Sequence, residues 1–292
     1  MVIDDGLWVP MLTVSVIIPT CDRPEMLADA LASVRAQTRP ADEVIVVDNG
    51  TVPVADRLLA DHGDLRVERI PPRSGASFAR NWGAWIARCE ALAFLDDDDL
   101  WPADYLARML ACLTTTQSAL AAAPQRLADT LEETERPLPT GADGRFPRWT
   151  RLGYRGSNMV VMQRAFWSVN GFPTRMLTGE DRAFAITLAG AGHRVSVCAQ
   201  THCLKREHAG TQLTDRSTLA LGKLCFLNEF DSQMSRADVL EDRLAVVIQL
   251  SKLWRWPLWL IASAFAPRAT LRRIFKKFNR SRPSTSTGPD ID

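Results

Sequence analysis

Four aspartates stand in a row at Asp96–Asp99, directly after the apolar run Ala91–Leu95. Carboxylates at contact distance repel and raise one another's pKa unless a cation or backbone amides compensate. Two compensations suit these residues. A hard divalent cation, Mg2+ or Mn2+, is held by a few carboxylate oxygens and shares its other positions with water or substrate phosphates. Alternatively, Asp99 caps a helix whose first turn holds Pro102 and Asp104. Capping accounts for one or two of the acids and not for all four, so the run predicts a metal site. The chain has no G-x-x-x-x-G-K-[ST], and no G-x-G-x-x-G follows its first apolar run. A phosphate ligand therefore lacks a glycine-rich cradle, and a metal on aspartates would screen it instead.

Such residues need a frame. Val14–Ile18 is a β-branched run that stops at Pro19-Thr20 and reads as a buried strand. Pro24–Gln37 carries Leu27, Leu31 and Val34 at helical spacing, with Pro24 suited to a first turn. Val44–Val47 is a second strand, ending at Asp48-Asn49-Gly50, and Leu65–Ile70 a third. A helix opens at Ser74-Gly75-Ala76-Ser77 and runs to about Cys89; Ala91–Leu95 is the fourth strand. This alternation with short connections predicts a mostly parallel sheet with helices on both faces. Ligands of such sheets sit beyond the carboxyl ends of the strands. Thr20, Asp48 and Asp96–Asp99 are thus predicted to meet at one rim. Further on, Ala119–Ala123 and Met159–Met162 read as strands, Arg164–Val169 and Glu180–Ala189 as helices, and Val195–Cys198 as the last strand. Pro124–Arg151 reads largely as loop.

The 292 residues have room for one large α/β domain and an appendage. With 46% hydrophobic and 24% charged residues, a disordered chain, a collagen-like fibre and a polytopic membrane protein are excluded. A formal charge of +1 gives no field that invites nucleic acid. Six scattered cysteines without a Cys-x-x-Cys suit a reducing compartment. Asp4 and Asp5 stand where a secretory signal carries Lys or Arg. The C-terminal part differs: Leu244–Asp292 holds nine Lys/Arg against two Asp. Its apolar stretch Leu244–Ala266 is broken by Gln249, Lys252, Arg255 and Pro257, and the 11 residues between Arg255 and Pro267 are short for a span of about 20 residues. Trp254, Trp256 and Trp259 cluster there, as rings do at a membrane–water boundary. Leu271, Ile274, Phe275 and Phe278 then form an apolar stripe on a basic helix. The pattern predicts in-plane attachment to an anionic membrane surface, with packing on the α/β domain as the alternative. Residues 281–292 are expected to be disordered.

Six segments, in this order, carry a resemblance: VSVIIPTCDRPEMLADALASVRAQT, DEVIVVDNG, SGASFARNWG, ALAFLDDDDLWP, GSNMVVMQRAFWSVNGF and TGEDRAFAITLAGAG. They cover about Val14–Gly192 and resemble glycosyltransferase family 2. The resemblance implies an α/β GT-A fold, a Rossmann-like and mostly parallel sheet with helices on both faces, over 1–225. A helical, membrane-associating region over 226–292 would follow. It implies a nucleotide-sugar donor, usually a UDP-sugar, a divalent metal, and inversion at the anomeric carbon. Pro19 and Thr20 would then meet the base and ribose, and Asp48 would recognise the nucleoside. Arg80 and Asn81 would line the nucleotide pocket. Asp96 and Asp98 match the D-x-D pair, with Asp98 the direct metal ligand and Asp97 between them on the donor side. Asp181 matches the general base, preceded by Glu180, and His208 resembles a histidine near metal and diphosphate. Trp101, beside the acidic run, and Glu180 are expected on the acceptor side.

Plainer roles compete at several positions. Asp48 suits a cap for its own turn. Glu180-Asp181 suits a solvated helix start, Arg80 an exposed helix position, Trp82 and Trp85 helix packing, and His193 a structural contact. Cys198, His202, Cys203 and His208 fit no common zinc spacing. Two other functions stay open: a sugar-nucleotide nucleotidyltransferase and a catalytically silent membrane-associated module. The expected acceptor is a glycan or lipid-linked saccharide of the cell envelope. The expected location is cytoplasmic, peripheral on the inner face of the membrane.

Overall fold

All seven residues of strand β1, Val14–Thr20, are buried. A strand buried on both faces needs cover on both sides, and the chain supplies it. The structure is a computed structural model that describes residues 12–54, 65–141, 144–147, 152–207 and 216–254. Strand β1 pairs in parallel with β2 (Glu43–Asp48) and β4 (Ala91–Phe94), and β2 pairs in parallel with β3 (Leu65–Arg69). A second sheet begins with β5 (Asp99–Leu100). The main sheet continues with β6 (Leu120–Ala122), β9 (Met159–Met162) and β10 (Val195–Val197), in the order β10-β6-β9-β4-β1-β2-β3.

Successive strand residues point to opposite faces, and here each face has its own helices. Val14, Val16 and Ile18 share a core with Leu27, Leu31 and Val34 of α1 (Pro24–Arg35) and with Tyr105, Met109 and Leu113 of α3 (Tyr105–Thr116). Ile17 and Val47 face α2 (Ala76–Ile86), which approaches closely because residue 83 is glycine. A Cβ there would lie 2.5 Å from Ile17 Cγ2 and 3.1 Å from Val47 Cγ2. Phe94 of β4 packs on Phe166 of α4 (Gln163–Ser168) and on Phe172, with centroids 5.6 and 5.1 Å apart. Phe172 in turn meets Phe184 of α5 (Glu180–Gly190) at 4.7 Å. Each fully buried ring of this kind stabilises the fold by about 1.5–3 kcal/mol.

The structure departs from the sequence reading in three places. Strand β9 runs antiparallel to both neighbours, β4 and β6, so the parallel order is interrupted. The segment expected to be loop holds β7 (Gln125–Leu127) and β8 (Glu133–Glu135). A further strand, β11 (Cys203–Lys205), follows β10, and the second sheet has the order β5-β11-β7-β8.

The chain divides into two compact units, Met1–Gln212 and Leu213–Asp292, whereas position 225 falls inside helix α6 (Arg216–Phe230). In the second unit α6 is followed by a 3-10 turn, Asp231–Gln233, and α7 (Arg236–Trp254). Ser235 caps α7: its hydroxyl accepts the Asp238 N–H at 3.2 Å and donates to Asp238 Oδ2 at 2.9 Å. Lys223 pairs with buried Asp242 at 2.6 Å. Among the described residues no helix is long and apolar enough to cross a membrane. The tryptophan cluster from Trp256 on and the basic stripe Leu271–Phe278 lie outside the described residues.

Candidate active site

The acidic run turns as soon as β4 ends. The Asp99 N–H donates to the Asp96 carbonyl at 3.1 Å, and Asp99 enters β5 against Lys205 of β11. The turn sends Asp97 and Asp99 inward, while Asp96 and Asp98 stay half-exposed. Asp97 Oδ2 accepts the Thr20 hydroxyl at 2.8 Å, and Oδ1 accepts Arg23 Nη1 at 3.1 Å. The same Nη1 reaches Asp98 Oδ2 at 2.9 Å. Burial pushes the Asp97 carboxyl up to about 6, with Thr20 and Arg23 working against it. Burial first, then the charges of Asp96 and Asp98, push Asp99 up to about 8. The helix-capping alternative does not hold, because α3 starts only at Tyr105 and its N-cap residue, Asp104, makes no side-chain capping bond.

One oxygen from each of Asp96, Asp98 and Asp99 lies within 4.8 Å of the others. Among the described residues this is the one group of three or more ligating side chains so arranged. An all-oxygen donor set, with mutual repulsion a dication would relieve, fits Mg2+ or Mn2+. Asp99 therefore joins the pair read from the sequence. His208 lies outside the described residues.

Arg80 joins this cluster to a second one. It is 4% exposed, on the inner side of α2, not an exposed helix residue. Its Nη2 donates to Asp96 Oδ1 at 2.6 Å and its Nη1 to Glu180 Oε1 at 3.1 Å, with Asp181 Oδ1 3.8 Å away. The guanidinium lies 5.5 Å from the Phe172 ring centroid. Gly156 gives it room, since a Cβ there would lie 2.5 Å from Nη2. Burial works against the charge of Arg80, but Asp96, Asp181 and Glu180 outweigh it and hold the guanidinium protonated. Glu180 and Asp181 open α5 behind Gly179, whose φ of +85° favours glycine. Asp181 is buried, not solvated. Burial, then the Glu180 charge, hold its carboxyl well above the usual carboxylate range, although Arg80 pulls the other way. Its Oδ1 has no hydrogen-bond partner in the structure.

Three further residues frame the acids, and the sequence reading did not single them out. Arg23 neutralises Asp97 and Asp98. Ser157, fully buried, accepts the Asp96 N–H at its hydroxyl (3.0 Å), while its carbonyl accepts Trp101 Nε1 (2.8 Å) and Tyr105 Oη (3.3 Å). Arg206 donates from Nε to the Asp98 carbonyl (3.0 Å) and from Nη2 to the Asp97 and Met26 carbonyls (2.9 and 3.0 Å), with Nη1 on Asp29 (2.6 Å). An arginine directly after β11 and a serine inside GSNM were the available signals.

The family model for glycosyl transferase family 2 matches residues 15–172, more than half of the chain and all of the segment that builds the acidic turn and Arg80. The chain belongs to that family. It is a glycosyltransferase, which sets aside the nucleotidyltransferase and the silent module. The succinoglycan biosynthesis protein ExoW of Rhizobium meliloti (strain 1021) is 30% identical to this transferase over 224 residues, 68% of this chain and 70% of ExoW. The putative teichuronic acid biosynthesis glycosyltransferase TuaG of Bacillus subtilis (strain 168) is 34% identical over 107 residues, 35% of this chain and 42% of TuaG. Among solved structures, the mannosyltransferase PcManGT of Pyrobaculum calidifontis, in complex with GDP-Man and Mn2+, matches with a TM-score of 0.60 at 20% identity, over 93% of this chain and 81% of that one. S. aureus TarS 1-349 in complex with UDP-GlcNAc matches with a TM-score of 0.60 at 15% identity, over 85% and 74%. These two likenesses concern the fold: a mixed α/β chain with a central sheet and helices on both faces.

Within the transferase the remaining expected residues divide. Pro19 and Thr20 end β1 beside the acidic turn, in register with Val47 and Asp48. Asp48 closes its own loop: Oδ1 accepts the Gly50 N–H at 2.9 Å and Oδ2 the Val54 N–H at 3.1 Å. Asn81 is committed to the backbone of Phe172, donating to its carbonyl at 2.8 Å and accepting its N–H at 2.9 Å. Trp101 does not face an acceptor. Its ring is buried, stacked on Tyr105 with centroids 4.4 Å apart, and its N–H is satisfied by Ser157. Trp82 and Trp85, expected in helix packing, are exposed on α2. His193 Nε2 is 2.8 Å from the Ser168 hydroxyl.

Proposed function

We propose that this transferase moves a sugar, with inversion, from a nucleotide-sugar donor to a glycan or lipid-linked saccharide, with Asp181 as general base. The observation that carries the reading is Arg80. One buried guanidinium holds Asp96, at the leaving-group side, and Glu180 with Asp181, at the acceptor side. The acceptor oxygen forms a bond to the anomeric carbon as the bond from that carbon to the diphosphate breaks, and the hydroxyl proton passes to Asp181. A buried carboxylate with an oxygen that accepts no hydrogen bond and a raised proton affinity suits that task. Asp96, Asp98 and Asp99 would hold a divalent cation, Mg2+ or Mn2+, which when bound neutralises the diphosphate as it leaves. Pro19, Thr20 and Asp48 would receive the nucleoside; each Asp48 oxygen keeps a lone pair beyond its backbone contact. The bound ligands named for TarS and PcManGT support a nucleoside diphosphate sugar, and we favour a UDP-sugar. The names of ExoW and TuaG support an envelope polysaccharide as the product.

The test is calorimetric titration of UDP, GDP, dTDP and CDP into the full chain, with and without Mn2+. Metal-dependent binding of one diphosphate, lost in Asp98→Ala, is the expected result. No binding of any of them to folded protein would sink the donor site. On its sequence pattern we also read the chain beyond residue 254 as a peripheral contact with the anionic inner face of the membrane. Deleting residues 255–292 should release the protein from sedimented membranes, and unchanged sedimentation would refute it.

A further inference from the structure

We infer that Arg23 is a resident competitor for Asp98, and that it makes cation binding and nucleoside diphosphate binding depend on each other; this rests on the metal and donor reading above. The guanidinium touches two acids that are held very differently. Asp97 is buried and also takes the Thr20 hydroxyl, so its bond to Arg23 is one of two fixed partners. Asp98 is half-exposed and belongs to the three carboxylates whose oxygens converge. A cation on Asp98 meets a positive charge already on that carboxylate, and the like charges oppose each other.

Arg23 has somewhere to go. It sits at the N-cap position of α1, and its side chain is 25% exposed. Its fork of five N–H donors matches phosphate oxygens as well as carboxylates. A diphosphate beside Asp98 offers the fork a replacement anion, while Asp97 keeps hold of its base. The acidic turn need not move for this exchange, because Arg206 pins the carbonyls of Asp97 and Asp98 to the Met26 carbonyl and Asp29 of α1. Diphosphate thus draws Arg23 off Asp98, and the cation displaces Arg23 toward the diphosphate. Linkage makes the effect reciprocal.

The experiment is calorimetry of Mn2+ binding to the full chain, alone and with saturating UDP or GDP, for wild type, Arg23→Gln and Arg23→Lys. The Gln variant should bind Mn2+ alone about tenfold tighter than wild type, with the enhancement by nucleotide reduced by a similar factor. The Lys variant keeps the charge and should stay near wild type. A Gln variant that binds Mn2+ alone no tighter than wild type overturns the inference. If neither nucleotide binds, the donor reading fails, and the Mn2+-alone comparison still decides whether Arg23 competes. If a thermal melt shows the Gln variant unfolded, a crystal structure of wild type with UDP and Mn2+ decides instead. Arg23 moved from Asp98 to the diphosphate supports the inference; an intact Arg23–Asp98 bond in the loaded complex overturns it.

Discussion

The two acidic groups joined by Arg80 are built in opposite ways. The Asp96–Asp99 turn is braced from every side: Thr20 and Arg23 on its carboxylates, Ser157 on the Asp96 amide, Arg206 on two carbonyls. Glu180-Asp181 opens a helix behind a glycine and keeps one buried oxygen without a hydrogen bond. The difference suits two tasks. A site that holds charge still needs its oxygens fixed, whereas a site that takes up a proton needs a lone pair left over.

The sharpest way to break this contrast is Asp181→Asn. Turnover should fall by about 10²–10⁴-fold, the usual contribution of a general base, while calorimetry shows UDP and Mn2+ binding unchanged. An active Asn variant would end the division of labour. Next is Arg80→Met, which strips both groups of their shared countercharge. Breaking a buried ion pair typically costs about 3–5 kcal/mol, so denaturant unfolding should show a loss of that size. A loss near that of a surface ion pair would mean that the two groups stand without it.

The third test uses pH. As the proposed base, Asp181 must be ionised to act, and its native pKa is raised, so kcat should climb with pH through the neutral range by at most about tenfold per unit. Stability has the opposite sign. Between the unfolded aspartate value of about 4 and the raised native one, the folded state binds the extra proton. The Asp181 contribution to stability is therefore full at low pH and declines as pH rises through that window. A kcat that is flat with pH, measured with saturating substrates, would reassign the base. The smallest effect is expected from Asn81→Leu. It leaves the Phe172 N–H and carbonyl without their partners and should cost about 1–3 kcal/mol in thermal unfolding, with the nucleotide affinity kept. A lost affinity would return Asn81 to the donor pocket.

The sequence made the alternating half of the sheet legible because β1, β2 and β4 are β-branched or apolar runs with clear stops. The second sheet was not legible: Gln125–Leu127 and Glu133–Glu135 are three residues each, too short to show a period. The reversed direction of β9 has no local signature either, since MVVM reads the same both ways. Of the site, the aspartates announced themselves by their repulsion. Arg80 was reached only through the family resemblance, and Arg23 and Arg206 were not reached at all, because an arginine looks like a surface residue until tertiary contacts enclose it. Trp101 misled for the same reason: a large ring beside acids looks exposed, yet its N–H had a carbonyl to meet inside.

The reversed strand bears on how the molecule is made. Because β9 runs against its neighbours, it delivers Ser157 to the rim before the strand begins rather than after one ends. The Asp96 amide thus waits for a hydroxyl 61 residues further on, and the Asp97 carbonyl for a guanidinium 109 residues further on. Contacts so distant in sequence close late, since the loop entropy is lost before the contact forms. During synthesis the acidic turn can meet Thr20 and Arg23 at once, but it waits for Ser157 and Arg206. The brace from Arg206 on the Asp97 and Asp98 carbonyls is added only once the chain beyond the last strand of the second sheet has emerged.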